Sequence, residues 1–200
     1  MRLLLASVAA NMMDKFIKYI PDRNAVVGFI ANASDNESDT WYVKKDKDKL
    51  IELGFKIIDI DLKDKTRLSK DIKKVSIIFV AGGNTFYLLE KTLESGFDKI
   101  LKNKKNKDMI YIGSSAGTAL VGPTIEHVKL IDDPSQAKNL KSYDGIALIG
   151  KLVFVHADDA VCAKVYKKIY KDYSSRYDCI KLNDFEGLVI DGDSVKKIKA

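Results

Sequence analysis

Residues 113–117 read Gly-Ser-Ser-Ala-Gly, and the pattern G-x-S-x-G puts Ser115, rather than Ser114, midway between two glycines. A serine hydroxyl becomes a nucleophile only when a base takes its proton. The pattern suits that role when it lies at a sharp turn between a strand and a helix. Small residues two positions away on either side let the turn close, and the helix start supplies free N–H groups beside the hydroxyl. The apolar run "MIYI" (109–112) leads into this turn and Thr118-Ala119-Leu120 opens a helix, so the context is met. The N–H of Ala116 is then a donor for an oxyanion, and Ser114 lines the pocket.

A second turn has the same layout. "SIIFVAGGNTFYLLE" (76–90) is a strand, a Gly-Gly turn and a helix opening near Asn84-Thr85. Consecutive glycines let backbone N–H groups approach an anionic oxygen closely, which makes Gly83 the second oxyanion donor. Neither GxxxxGK[ST] nor GxGxxG is present, which argues against a phosphate loop.

The base must be one of two histidines. His156 closes the apolar run "KLVFVH" and so falls at a strand end, whereas His127 lies in the irregular stretch "GPTIEHVKL". His156 is the expected base and His127 a structural residue. For the orienting carboxylate, Asp132 and Asp133 of "LIDDPSQ" lie between serine and histidine in chain order, one of the orders such triads take. Asp158 and Asp159 are close to His156 in sequence and better placed to cap the next helix.

These residues need a scaffold that brings strand ends together. Expected strands are Leu3–Ser7, Ala25–Ala31, Lys56–Ile60, Ser76–Val80, Met109–Ile112, Leu152–His156, Cys179–Leu182 and Gly187–Ile190. They are rich in Val and Ile without strict alternation, as in strands covered on both faces. Between them run helical patterns: Met12, Phe16 and Tyr19; Trp41, Leu50 and Leu53, ending at Gly54; Phe86, Leu89 and Leu93; Val161, Val165 and Ile169. Strand–helix alternation predicts an α/β sandwich with a mostly parallel sheet, formed by one domain over residues 1–200. The last two strands, joined by "NDFEG" (183–187), read as an antiparallel hairpin. Residues 126–150 read as a long connection of the kind that often carries function.

Composition narrows the function classes. The charge is +6, carried by lysine, with only four arginines: Arg2, Arg23, Arg67 and Arg176. The clusters at Lys44–Lys49 and Lys102–Lys107 lack the arginines and interleaved aromatics of nucleic-acid surfaces and read as solvated faces. No apolar run approaches the roughly 20 residues that span a bilayer, and "MRLLLASVAA", which has the outline of a very short signal peptide, is expected to be a first strand instead. Two cysteines without a CxxC pattern fit a reduced, cytoplasmic protein. With neither HExxH nor CxxC, no metal is expected.

Taken together, "AGGNTFYLLE", "GSSAGT" and "VH" resemble the aspartyl dipeptidase (peptidase E) family of serine peptidases and its relatives, cyanophycinase among them. The resemblance runs over nearly the whole chain, including "GPTIE" and "DDP". It implies a three-layer α/β/α fold like that of class I glutamine amidotransferases. It also implies a cofactor-free Ser-His-Asp hydrolase acting on small peptides such as Asp-X dipeptides, as a monomer or homodimer. Ser115 would be the nucleophile, His156 the base and Asp132 or Asp133 the acid. Gly83 and Ala116 would hold the oxyanion, with Gly82, Asn84 and Ser114 against the substrate. Two departures stand out. Val155 and Ala157 replace the family's usual proline before and aromatic after the histidine. The segment after the histidine, where dipeptidases of the family carry an arginine for the substrate's aspartate, has no arginine before Arg176. A basic pocket there would draw on Lys164, Lys167 or Arg176. An esterase using the same serine, or a binding protein of the same fold, are the rival readings.

Overall fold

The computed structural model describes residues 1–103 and 106–200. The elements, in chain order, are β1 (Arg2–Ala6), α1 (Ala9–Phe16), β2 (Val26–Ile30), α2 (Trp41–Glu52), β3 (Lys56–Asp59), α3 (Lys65–Ile72), β4 (Ile77–Val80), α4 (Thr85–Ser95), α5 (Phe97–Lys102), β5 (Ile110–Ser114), α6 (Ala116–Ala119), β6 (Lys151–Phe154), α7 (Ala160–Ser174), β7 (Asp178–Lys181), β8 (Glu186–Asp191) and β9 (Ser194–Lys199). Seven strands form one sheet in the order β3-β2-β4-β5-β1-β8-β9. The first five are parallel, while β8 runs antiparallel to β1 and β9 antiparallel to β8.

The missing alternation in the strands has a direct cause: both faces of the sheet are covered. Along β1, Leu3 and Leu5 face one core and Leu4 and Ala6 the other. In β4, Ile78 and Val80 join the first core and Ile77 and Phe79 the second. Leu68, Phe86, Phe97 and Ala119, from α3, α4, α5 and α6, cover the first face. Met12 and Phe16 of α1 and Leu50 of α2 cover the second. The result is the expected three-layer α/β/α arrangement, with the parallel strands ending on one edge where their turns meet.

Two parts of the fold depart from the sequence reading. The last two expected strands do not form a hairpin. Instead β7 pairs in parallel with β6 as a separate two-stranded sheet, and β8 turns back through Gly192 (φ 57°) onto β9, a strand the sequence reading missed. The physical reason lies in the turn 183–187, which carries the chain from one sheet to the other rather than reversing it within one. Because β9 reads "SVKKIK" and is almost wholly exposed, it lacks the apolar signal used to find strands. Its lysines suit a sheet edge.

The second departure is α7, whose buried face is Cys162, Tyr166 and Tyr173 instead of Val161, Val165 and Ile169. Val161 is exposed, and Val165 and Ile169 only flank the core of the small sheet. Aromatic residues win here because a two-stranded sheet offers little width. Tyr166 fills it against Phe154 (ring centroids 4.8 Å apart) and still hands its hydroxyl to Val155 O at 2.8 Å.

The lysine-rich stretch of α2 is a solvated face with ion pairs. Lys44 pairs with Asp48, Lys47 with Asp59, and Lys49 with Asp14 and Glu52. In the second cluster, Lys104 and Lys105 lie outside the described residues. No helix among the described residues is long and apolar enough to cross a membrane.

Candidate active site

Strand β5 ends at Ser114, and the chain turns into α6 through Ser115, which has φ 50° and ψ −109°. A non-glycine residue there is strained, and such strain persists only where neighbours over-determine it. The neighbours can be named. Ser115 N–H donates to Ala6 O at the end of β1 (3.1 Å). Thr118 Oγ sits between Ala6 O (2.7 Å) and Gly113 O (2.9 Å), and Tyr111 Oη donates to Gly117 O (2.7 Å).

Both glycines of the motif are steric necessities. A Cβ on Gly113 would lie 2.7 Å from Gly117 O, and one on Gly117 would lie 2.2 Å from Val80 O. The elbow thus closes on itself and on β4.

The Gly-Gly turn after β4 packs against this elbow. A Cβ on Gly82 would come within 3.1 Å of Ser115 Cβ. Gly83 has φ +130°, and a Cβ there would meet the Ala33 carbonyl at 2.4 Å. Only glycine fits at 83 on both counts. Among the described residues, no backbone carbonyl accepts from the N–H of Gly83 or of Ala116.

The small sheet brings the other half of the site. His156 follows β6 at φ 54°, a second strained residue. Its Nε2 is 2.9 Å from Ser115 Oγ and its Nδ1 is 2.6 Å from Asp184 Oδ1. Asp184 follows β7 in the turn read as a hairpin loop. Its backbone is fixed from two sides: Asn11 Nδ2 donates to Asp184 O (2.9 Å), and Asp184 N–H donates to Asp158 Oδ1 (3.1 Å). Ser7, at the end of β1, stitches the two sheets together. It accepts from His156 N–H (3.0 Å) and donates to Leu182 O (3.0 Å). The serine therefore rides on the large sheet and the histidine and carboxylate on the small one, with Ser7 as the tie.

The acid expected from the sequence is elsewhere. Asp133 caps the turn 134–136, accepting from Ser135 N–H (2.9 Å) and Ser135 Oγ (2.8 Å), which holds its carboxyl below the usual range. Asp132 Oδ2 accepts from Thr85 N–H at the start of α4 (2.9 Å), and burial pushes its carboxyl up. Neither is the carboxylate hydrogen-bonded to His156. The DDP segment is tied to the Gly-Gly turn instead, because Asn84 Nδ2 donates to Asp133 O (2.9 Å).

Asn84 is consequently a helix cap, its Oδ1 accepting from Tyr87 N–H (2.9 Å), and it does not line the cavity. Ser114 does line it and accepts from Ala9 N–H (3.1 Å). The sequence signal that could have found Asp184 was an acid just past a predicted strand, the same placement that singled out His156.

A cavity of about 360 Å³ opens over Ser115. Gly82, Gly83, Asp132, His156 and Asp184 line it, with Val8, Trp41, Tyr42 and Ile131 as apolar walls. Trp41 is 64% exposed, so it contributes to the cavity rather than to the core as its helical spacing implied. Asp46, beneath, accepts from Ala10 N–H (2.8 Å), and burial pushes its carboxyl up to about 6.

Known proteins are similar to this chain in sequence and fold. The chain is 27% identical over 196 residues to "Uncharacterized peptidase Lin0382" of Listeria innocua, covering 96% of this chain and 94% of that one. It is 29% identical over 104 residues to "Peptidase E" of Haemophilus influenzae, covering 52% and 46%. A crystal structure of a protein from Listeria monocytogenes EGD-e, provisionally called peptidase E, superposes with a TM-score of 0.89 at 27% identity, over 100% of this chain and 98% of that one. The model of peptidase family S51 matches residues 3–198. The chain belongs to peptidase family S51 and is a peptidase.

Proposed function

We propose that this peptidase cleaves short peptides by a serine mechanism in which Ser115, His156 and Asp184 form the triad. The observation that carries the reading is the continuous hydrogen-bonded line from Ser115 Oγ through the imidazole to Asp184 Oδ1, at 2.9 and 2.6 Å. Asp184 accepts from Nδ1–H, which leaves the Nε2 lone pair facing the serine hydroxyl. Ser115 Oγ bonds to the scissile carbonyl carbon as His156 takes its proton. The oxyanion is held by the N–H groups of Gly83 and Ala116. His156 then passes the proton to the leaving amine, the C–N bond breaks, and water releases the acyl group from Ser115 by the reverse relay. A cavity of this volume suits one or two residues rather than a folded chain.

The test is labelling with a fluorophosphonate probe, read by peptide mapping, on the wild type and on Ser115→Ala and Ser114→Ala. One adduct on Ser115, lost in Ser115→Ala and kept in Ser114→Ala, supports the mechanism. A folded protein without an adduct on Ser115 overturns it. Relative rates on matched esters and amides separate a peptidase site from an esterase.

A further inference from the structure

Any substrate that presents its first peptide bond to Ser115 brings two groups into the same cavity. The α-ammonium is two bonds from the attacked carbonyl, and the first side chain branches from the same carbon. The cavity walls therefore decide which first residue is accepted. Among the lining residues are three carboxylates, Asp46, Asp132 and Asp184, and no lysine or arginine.

The cations expected to serve an acidic side chain are engaged or placed elsewhere. Arg176 lies over the rings of Tyr173 (4.8 Å) and Tyr177 (5.7 Å), and its Nε reaches Asp172 O. Lys164 and Lys167 are exposed on α7 and do not line the cavity. Arg2 pairs with Asp191, and Arg67 lies beside Asp71. A substrate aspartate would thus enter a cavity already lined by carboxylates, with no lysine or arginine among the described lining residues to neutralise it.

The three carboxylates do not have equal freedom. Asp184 is committed to His156, and Asp46 is 2% exposed, with Ala10 N–H and the Ser114 hydroxyl as partners. Asp132 is half-buried and fixed by the start of α4 through Thr85 N–H, near enough to His156 for the two to interact electrostatically. Around it, Val8, Trp41, Tyr42 and Ile131 offer apolar surface. The Tyr42 hydroxyl is already donated to Glu37, so the ring presents mainly its face and edge.

We infer that the site accepts peptides with an uncharged, preferably apolar, first residue, binds their free α-ammonium through Asp132, and excludes an acidic first side chain. The inference rests on the serine mechanism proposed above and assigns its substrate class. It sets aside the Asp-X preference that the family resemblance implied.

The experiment compares kcat/KM for the 4-methylcoumaryl-7-amides of Leu, Asp and N-acetyl-Leu, on the full chain, after fluorophosphonate titration of Ser115. Leu should exceed Asp by more than about 100-fold, since an unpaired buried charge loses several kcal/mol. Acetylating Leu should cost about 10–100-fold, the worth of one charge-assisted hydrogen bond. In Asp132→Asn the ratio of free to acetylated Leu should collapse toward one, a readout that simple loosening of α4 would not give. Asp cleaved as well as Leu, or acetyl-Leu as well as Leu, overturns the inference while titratable Ser115 keeps the mechanism standing. Failure of Ser115 to titrate overturns the mechanism, and the substrate assignment falls with it.

Discussion

One histidine of the chain packs on the short strand β6 and the other follows it, and they differ in nearly every physical respect. His127 is 1% exposed, packs its ring against Phe154 (4.9 Å) and Tyr173 (6.1 Å), and donates Nε2–H to Val153 O at 3.0 Å. Its surroundings are apolar, and burial pushes it down to about 4, so the ring is neutral. His156 stands just past the strand's carboxyl end, at a strained φ of 54° with its side chain 26% exposed, between a hydroxyl and a carboxylate. An imidazole with two polar partners and access to a cavity can move a proton; one sealed among rings can only pack. Position relative to a strand's carboxyl end, not residue type, separates the two.

The sharpest way to break this comparison is to remove each ring in turn. His156→Ala should lower kcat by at least about 10³-fold, as loss of a triad member does, with an unfolding midpoint close to that of the wild type. His127→Leu should keep kcat within a few-fold while lowering stability by about 1–3 kcal/mol, through the lost Val153 bond and altered packing. Steady-state kinetics beside urea unfolding decides it. A large kcat loss in His127→Leu with normal stability would erase the distinction.

The acid divides along the same line. Asp184→Asn leaves the shape of the site but replaces an acceptor-only carboxylate with a neutral amide that can donate to Nδ1 and favour the wrong tautomer, and kcat should fall by about 10²–10⁴-fold. Asp133→Asn keeps an oxygen that can still cap the exposed turn at Ser135 N–H, so kcat should change by less than about twofold and stability by less than about 1 kcal/mol. Equal kinetic losses in the two variants would return the acid to the DDP segment.

How much of this was legible in the sequence follows from what each signal is made of. Ser115 was readable because strain and close packing demand Gly113 and Gly117, and such demands are local and leave a motif. The buried strands were readable because two covered faces require continuous Val and Ile. His156 was readable from its place at a strand end. Asp184 was not selected because its partnership spans 28 residues and depends on β7 pairing with β6, a pairing that no local pattern encodes. The same blind spot produced the mistaken hairpin: the turn 183–187 has the composition of a reversal but joins two sheets. Asp132 misled for an instructive reason. It does lie in the cavity, yet its fixed partner is Thr85 N–H at a helix start, so proximity in chain order carried no information about geometry.

The smallest effect expected concerns pH, and it turns on buried groups whose contributions oppose. His127 has a folded pKa of about 4 against about 6.5 when unfolded. The unfolded chain thus binds more protons between those values, and this contribution to stability is lost as pH falls from 6.5 to 4. Asp46 runs the other way: its folded value of about 6 lies above the ordinary 3.8, so the native state holds the extra proton and stability falls as pH rises from 3.8 to 6. Asp132, also raised by burial, acts in Asp46's direction. In the wild type these slopes cancel in part between pH 4 and 6. His127→Leu should unmask the carboxylates, making the protein more stable at pH 4.5 than at 6, while Asp46→Asn should tilt the profile the opposite way. Each tilt should be about 1–3 kcal/mol across the window, read from urea midpoints at matched ionic strength. If the two variants tilt in the same direction, one of these two side chains is not buried in the protonation state its surroundings dictate, and the contrast between a sealed ring and a working one loses its electrostatic half.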